Sequence, residues 1–292
     1  MTGRDLSAEP LLRTFTAPDG LSLRGRVWMP EGPRRAVVVF IHGIFEHHGR
    51  FAALAEQLRR RGYVFYGWDL RGHGRSDGER AWVERFGQFT ADLDVVLAEA
   101  RRECGGLPIF LLGNSMGGAI AATYLLEAPR DIAGAIVSAG AFQVGGRVFP
   151  LLRRLAQLVS RLWPRLRMLR ASGRRISRDP AVVADFENDP LVVHGRFPVR
   201  IGAEVLSAAR RITDARRRLD TPMLLLHGTA DRTTDAEGSS RIHADAPAAD
   251  KTLKLYEGLY HDLFHEPEQD QVVADVLAWL DARTAEHPGG TL

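Results

Sequence analysis

The chain has 292 residues, 45% of them hydrophobic and 26% charged, with a formal net charge of +3. That is the make-up of an ordinary globular protein with enough chain to bury a full core. A single cysteine, Cys104, excludes an intramolecular disulfide framework and any metal site built from several thiolates. Met1 to Pro10 has no apolar signal core, and no run approaches the ~20 apolar residues of a membrane span, so a cytoplasmic protein is expected.

Along the chain, short β-rich runs alternate with helical ones. Leu21 to Trp28 alternates in polarity and predicts a strand at the edge of a sheet. Ala36 to Ile41, Tyr63 to Trp68, Ile109 to Leu112, Ile132 to Ser138 and Met223 to Leu226 read as buried strands, and Leu253 to Tyr256 as the last. Helices are predicted over Arg50 to Arg61, Phe89 to Arg102, Met116 to Glu127, Glu237 to Ala246 and Gln269 to Ala282. The fold class that follows is α/β, a mostly parallel sheet flanked by helices.

The alternation breaks once, over 141–219. There no buried strand run appears, and Val148, Leu151, Leu152, Leu155, Val159 and Leu162 fall on one helical face, with Arg147, Arg153, Arg154 and Arg161 mostly off it. This predicts a helical cap inserted into a core made of 1–140 and 220–292, lying over the carboxyl ends of the strands, where open α/β sheets hold their ligands. The cap holds 17 Arg against 6 acidic residues, a net +11, while the remainder holds 22 basic and 30 acidic residues, a net −8.

Gly113-Asn114-Ser115-Met116-Gly117 follows a buried strand and opens a helix, the setting of a nucleophile elbow. A serine hydroxyl needs a base to become a nucleophile near neutral pH, and on such a sheet the order along the chain is Ser, acid, His. Asp231, just past the strand that starts at Met223, is the candidate acid, with Asp235 as competitor and more suited to capping the next helix. His261, in the loop after the last strand, is the candidate base, with His265 as competitor. An oxyanion hole needs two backbone N–H groups. Met116 supplies one, and the loop His42-Gly43-Ile44-Phe45 the other, from Ile44 or alternatively Phe45.

These motifs resemble the monoacylglycerol lipase and lysophospholipase branch of the α/β-hydrolases, over about Arg13 to Arg283. The resemblance rests on His42-Gly43 with Glu46-His47 and Gly49-Arg50, and on Asp69 with Arg71-Gly72-His73-Gly74-Arg75-Ser76. Ser115-Met116-Gly117-Gly118, His227-Gly228-Thr229-Ala230-Asp231-Arg232 and Tyr256-Glu257-Gly258-Leu259-Tyr260-His261 add to it, as do Ile176-Ser177-Arg178-Asp179-Pro180 and Asn188-Asp189-Pro190-Leu191 in the cap. It implies an α/β-hydrolase fold with Ser115, Asp231 and His261 as nucleophile, acid and base. It further implies a lipid ester as substrate, a cap that carries the acyl tunnel, and Glu46 and Arg50 supporting the alcohol end of the pocket. Asn114 stands where many members have His and Phe45 where they usually have Gly, which puts substrate preference rather than the triad in question.

The expected reaction is cleavage of a monoacylglycerol to fatty acid and glycerol. A lysophospholipase or broad carboxylesterase with the same triad is the alternative, and a non-catalytic ligand receptor a remote one, since such receptors lack a triad member. No cofactor or metal is called for, and the arginine-rich cap lacks the interleaved aromatics of a nucleic-acid surface. A basic amphipathic cap suits an anionic membrane surface, so peripheral membrane contact is expected.

Overall fold

Eight strands form one sheet in the order β1-β2-β4-β3-β5-β6-β9-β10. In this computed structural model, which describes residues 9–127, 131–144, 157–170 and 173–285, they are β1 (Leu11–Thr16), β2 (Ser22–Trp28), β3 (Ala36–Ile41), β4 (Tyr63–Trp68), β5 (Ile109–Asn114), β6 (Gly134–Ser138), β9 (Met223–Gly228) and β10 (Lys251–Tyr256). β1 and β2 run antiparallel, as do β2 and β4; every other pairing is parallel. The mostly parallel α/β sheet expected from the alternation is present.

Continuous apolar runs are needed because both faces of the central strands are covered. Val37, Val39 and Ile41 of β3 enter one hydrophobic layer with Leu93, Ile120 and Ile242. Val38 and Phe40 enter the opposite layer with Leu54, Leu58, Val276 and Trp279. The first layer is covered by α2 (Gly87–Glu103), α3 (Met116–Glu127) and α6 (Ala236–Asp245), the second by α1 (Ala52–Arg60) and α7 (Gln269–Thr284).

The edge position expected for Leu21 to Trp28 belongs instead to β1. In β1 Phe15 alone is buried, so its sequence has too little apolar alternation to read as a strand.

Between β6 and β9 the chain leaves the large sheet. Helices α4 (Pro180–Asn188) and α5 (Val199–Ala215) are joined there by two short strands, β7 (Arg167–Arg170) and β8 (Arg196–Pro198), which pair antiparallel. These strands are additional to the helices expected; four and three residues long and arginine-bearing, they carry no buried run to read. α5 lays Ile201, Val205, Ala208 and Ile212 into the core layer beside α3. Asp179 caps α4 by accepting the Ala181 N–H, with Pro180 opening the helix. Of the six apolar positions expected on one cap helix, Val148, Leu151, Leu152 and Leu155 lie outside the described residues, as do Arg147, Arg153 and Arg154. Leu162 is described and is 58% exposed.

Candidate active site

β5 ends at Asn114 and α3 begins at Met116, so Ser115 makes the whole turn by itself, at φ 54°. Few non-glycine residues adopt that conformation, and it recurs at functional sites. The flanking glycines are steric requirements. A Cβ at Gly117 would lie 1.9 Å from the Ile41 carbonyl oxygen, and one at Gly113 would lie 2.5 Å from that of Gly117. The Ser115 N–H donates to the Ser138 carbonyl at 2.8 Å, which ties the turn to β6.

The loops after β9 and β10 deliver the partners. His261 Nε2 is 2.9 Å from Ser115 Oγ, and His261 Nδ1 is 2.7 Å from Asp231 Oδ2. A carboxylate can only accept, so Nδ1 carries the proton and Nε2 is free to accept from the serine. Asp231 is itself held: Oδ1 accepts the N–H of Thr233 at 2.7 Å and of Thr234 at 3.1 Å, while Oδ2 lies 2.8 Å from Thr234 Oγ1 and 3.2 Å from His227 Nε2. Burial by itself would raise the Asp231 carboxyl. The charge of His261 and the hydrogen bonds from His227, His261 and Thr233 outweigh it and hold the group far below the ordinary carboxylate range. Burial would likewise lower His261, but the adjacent Asp231 charge and hydrogen bond raise it above 6.5.

The competitors are occupied elsewhere. Asp235 accepts the Glu237 N–H at 3.0 Å as the cap of α6 and bonds Gln143 Nε2 at 2.7 Å. His265 Nε2 donates to the Arg50 carbonyl at 2.9 Å, and its Nδ1 lies 2.9 Å from Asp262 Oδ2.

Ile44 and Phe45 form a turn after β3, and Ile44, Phe45 and Met116 line one cavity with Ser115 and His261. Met116 is the first residue of α3, so its N–H has no intrahelical acceptor. Beneath the turn lies a buried polar cluster. Glu46 Oε1 accepts the Gly43 N–H at 2.6 Å and Asn114 Nδ2 at 3.0 Å, while Oε2 accepts Arg50 at 2.8 Å. Arg50 also reaches Asp262 at 3.2 Å. Burial, strengthened by the nearby Asp262 charge and opposed by Arg50, raises the Glu46 carboxyl. His47 and His48 do not act together: His47 bonds Asp189 at 2.8 Å, whereas His48 Nδ1 bonds Asp69 at 2.6 Å. Asp69 also accepts the N–H of His48 and of Arg75, so the Asp69 to Ser76 stretch is a structural turn.

The cavity holds about 590 Å³, well within the range of small-molecule sites. Ser115 lines it, and so do Ile176, Phe186, Phe197, Val205 and Leu206 from the inserted segment. It is a mostly apolar space with the nucleophile in its lining.

Residues 32–268 match the hydrolase family described as serine aminopeptidase, S33. The chain belongs to this family. A monoacylglycerol lipase of Mycolicibacterium smegmatis is 33% identical over 91% of this chain and 95% of its own. The human monoglyceride lipase is 36% identical over 91% and 89%. A soluble variant of the Saccharomyces cerevisiae monoglyceride lipase, solved with a substrate analogue, superposes with a TM-score of 0.86 at 25% identity, covering 97% of this chain and 98% of that one. Within the S33 hydrolases the chain therefore falls on the monoacylglycerol lipase branch that its motifs resemble, and the fold is that of an α/β-hydrolase.

Of the positions this S33 hydrolase offered by sequence, the fold brings Ser115, Asp231, His261, Ile44, Phe45, Glu46, Arg50, Asn114 and Met116 to one place. Four further participants were not singled out: His227, Thr233 and Thr234 around Asp231, and Asp262 beneath Arg50. Thr233 and Thr234 lie two and three residues after Asp231, so an Asx-type turn was the signal available. Nothing in the sequence marks Asp262 beyond its place next to His261.

Proposed function

We propose that this hydrolase cleaves the ester of a monoacylglycerol, releasing fatty acid and glycerol by way of an acyl-Ser115 intermediate. The observation that carries the reading is the Asp231–His261–Ser115 relay, with steps of 2.7 and 2.9 Å, opening on an apolar cavity of about 590 Å³. Ser115 Oγ attacks the ester carbonyl as His261 Nε2 takes its proton. Asp231 fixes the imidazole tautomer and stabilises the imidazolium. The Ile44 and Met116 N–H groups stabilise the oxyanion, and His261 returns its proton to the departing glycerol oxygen. Water then cleaves the acyl-enzyme by the same route. The acyl chain lies along Phe186, Val205 and Leu206, while Glu46 and Arg50 support the alcohol end.

In this reading 141–219 is a cap over a catalytic core formed by 1–140 and 220–292. Leu158, Leu162, Trp163, Leu166 and Met168 are exposed on it, among Arg161, Arg165 and Arg167. Apolar side chains interleaved with cations suit an anionic lipid surface, and among the described residues no helix is long and apolar enough to cross a membrane. One observation favours a second reading, lysophospholipid hydrolysis. Arg175 and Arg232 line the cavity, and among the described residues neither has a carboxylate partner, Arg232 lying 5.7 Å over the Tyr260 ring. Either cation could face a phosphodiester.

The deciding experiment is fatty-acid release from matched long-chain monoacylglycerol, triacylglycerol and lysophosphatidylcholine, with Ser115→Ala as control. Monoacylglycerol is expected to be turned over fastest. Preference for lysophosphatidylcholine would move the substrate to the second reading, and retained turnover in Ser115→Ala would overturn the mechanism.

A further inference from the structure

Phe45 sits at φ 74°, where a residue bearing a Cβ stays only if its surroundings hold it there. The restraints come from the inserted segment. The Phe45 ring packs on Phe197 of β8, with centroids 4.2 Å apart and planes 45° apart. The Phe45 carbonyl accepts the Val193 N–H at 2.8 Å. Two residues on, His47 Nε2 bonds Asp189 at 2.8 Å. On its other side the same turn is fastened to the core, because Glu46 Oε1 bridges the Gly43 N–H and the Asn114 side chain. Ile44 hangs between the two fastenings.

We infer that Phe45 is a positioning residue for the reaction: by clamping the turn between core and cap, it aims the Ile44 N–H at the oxyanion and makes transition-state stabilisation depend on a seated cap. This rests on the role given to Ile44 in the proposed mechanism. It differs from a role for Phe45 in fitting the acyl chain, which would act through substrate binding alone.

The two roles separate on an ester too short to occupy the apolar cavity. We would measure kcat and KM for p-nitrophenyl acetate, with active sites counted by a fluorophosphonate probe so that misfolded molecules do not contribute. Phe45→Gly is expected to lower kcat about tenfold, a fraction of the 10²–10³ lost with a whole oxyanion donor, with KM within about twofold. Phe45→Tyr, which keeps the ring, should restore kcat to within about twofold of the unmodified enzyme. Phe197→Ala should lower kcat on its own, and the Phe45→Gly, Phe197→Ala double variant should be no worse than Phe45→Gly, because both break one contact. An unchanged acetate kcat in Phe45→Gly, with losses confined to long-chain esters, would overturn the inference, as would additive losses in the double variant. Failure of the underlying mechanism looks different: Ser115→Ala would keep its turnover, or Ser115 would not label.

Discussion

The sheet and the segment inserted between β6 and β9 are held together in different ways. In the sheet, β3, β4, β5, β6 and β9 are buried along their whole length, and the relay residues leave from the carboxyl ends of β5, β9 and β10. Close packing there leaves few alternatives; even a methyl at Gly117 would meet backbone. Among the described residues the inserted segment has little core of its own. Five of the eight exposed large hydrophobic side chains among the described residues fall within 158–168, and among the described residues it is mainly α5, with Phe197 of β8, that enters the main core. Chemistry that tolerates errors of a few tenths of an ångström is built on the over-determined part. The proposed contacts with the acyl chain and a lipid surface fall on the inserted segment.

The comparison predicts that substitutions at the core abolish chemistry outright. Ser115→Ala should lower kcat about 10⁶-fold with no loss of folded protein, checked by turnover and near-UV circular dichroism; a tenfold effect would place the nucleophile elsewhere. Asp231→Asn should cost about 10⁴-fold, because an amide facing Nδ1 favours the wrong tautomer. Asp235→Asn, four residues on, is the contrast. It should leave kcat unchanged and alter stability by less than about 1 kcal/mol, since Asn also caps helices well.

What could be read from the sequence follows the same division. Ala36–Ile41 and Tyr63–Trp68 were legible because a strand covered on both faces must be apolar throughout, and Ser115 because only glycine fits on either side of that turn. Asp231 and His261 were legible from chain order. β1 was not, having one buried side chain to offer. In the Glu46 cluster Asp262 was not either: Arg50 meets it from 212 positions away, and no local pattern encodes such a pairing. At Phe45 the sequence showed an unusual residue, but the clamp that holds it comes from Val193 and Phe197, in a segment whose short strands carry no periodicity.

A smaller effect sharpens the electrostatics of the core. In the proposed mechanism His261 works only as the neutral imidazole, and its pKa is raised above 6.5 by Asp231 against the lowering effect of burial. The acid limb of kcat/KM should therefore have its midpoint above pH 6.5, with activity falling about tenfold per pH unit below it. Asp231→Asn removes the two largest raising causes and leaves burial opposed only by the charges of Asp262 and Glu46, so the limb of the residual activity should move to lower pH. A limb that stayed in place would mean that another group titrates.

The smallest predicted effect lies in the inserted segment and involves no reacting atom. Trp163 is 63% exposed and stands with Leu162, 58% exposed, beside Arg161. A side chain that is exposed in water and buried in the lipid interface contributes roughly 1.5–3 kcal/mol when fully buried, and less at an interface that it only partly enters. Trp163→Ala should therefore weaken binding to phosphatidylglycerol-containing vesicles about tenfold, and Arg161→Ala about fivefold, near 1 kcal/mol per cation. Co-sedimentation measures both. The loss should extend to hydrolysis of vesicle-borne monoacylglycerol and not to p-nitrophenyl acetate, because neither side chain lines the cavity. Binding that ignored the anionic lipid fraction would show that these arginines are only a solvated face of the lid, and the two regions would then differ in stability without dividing the labour.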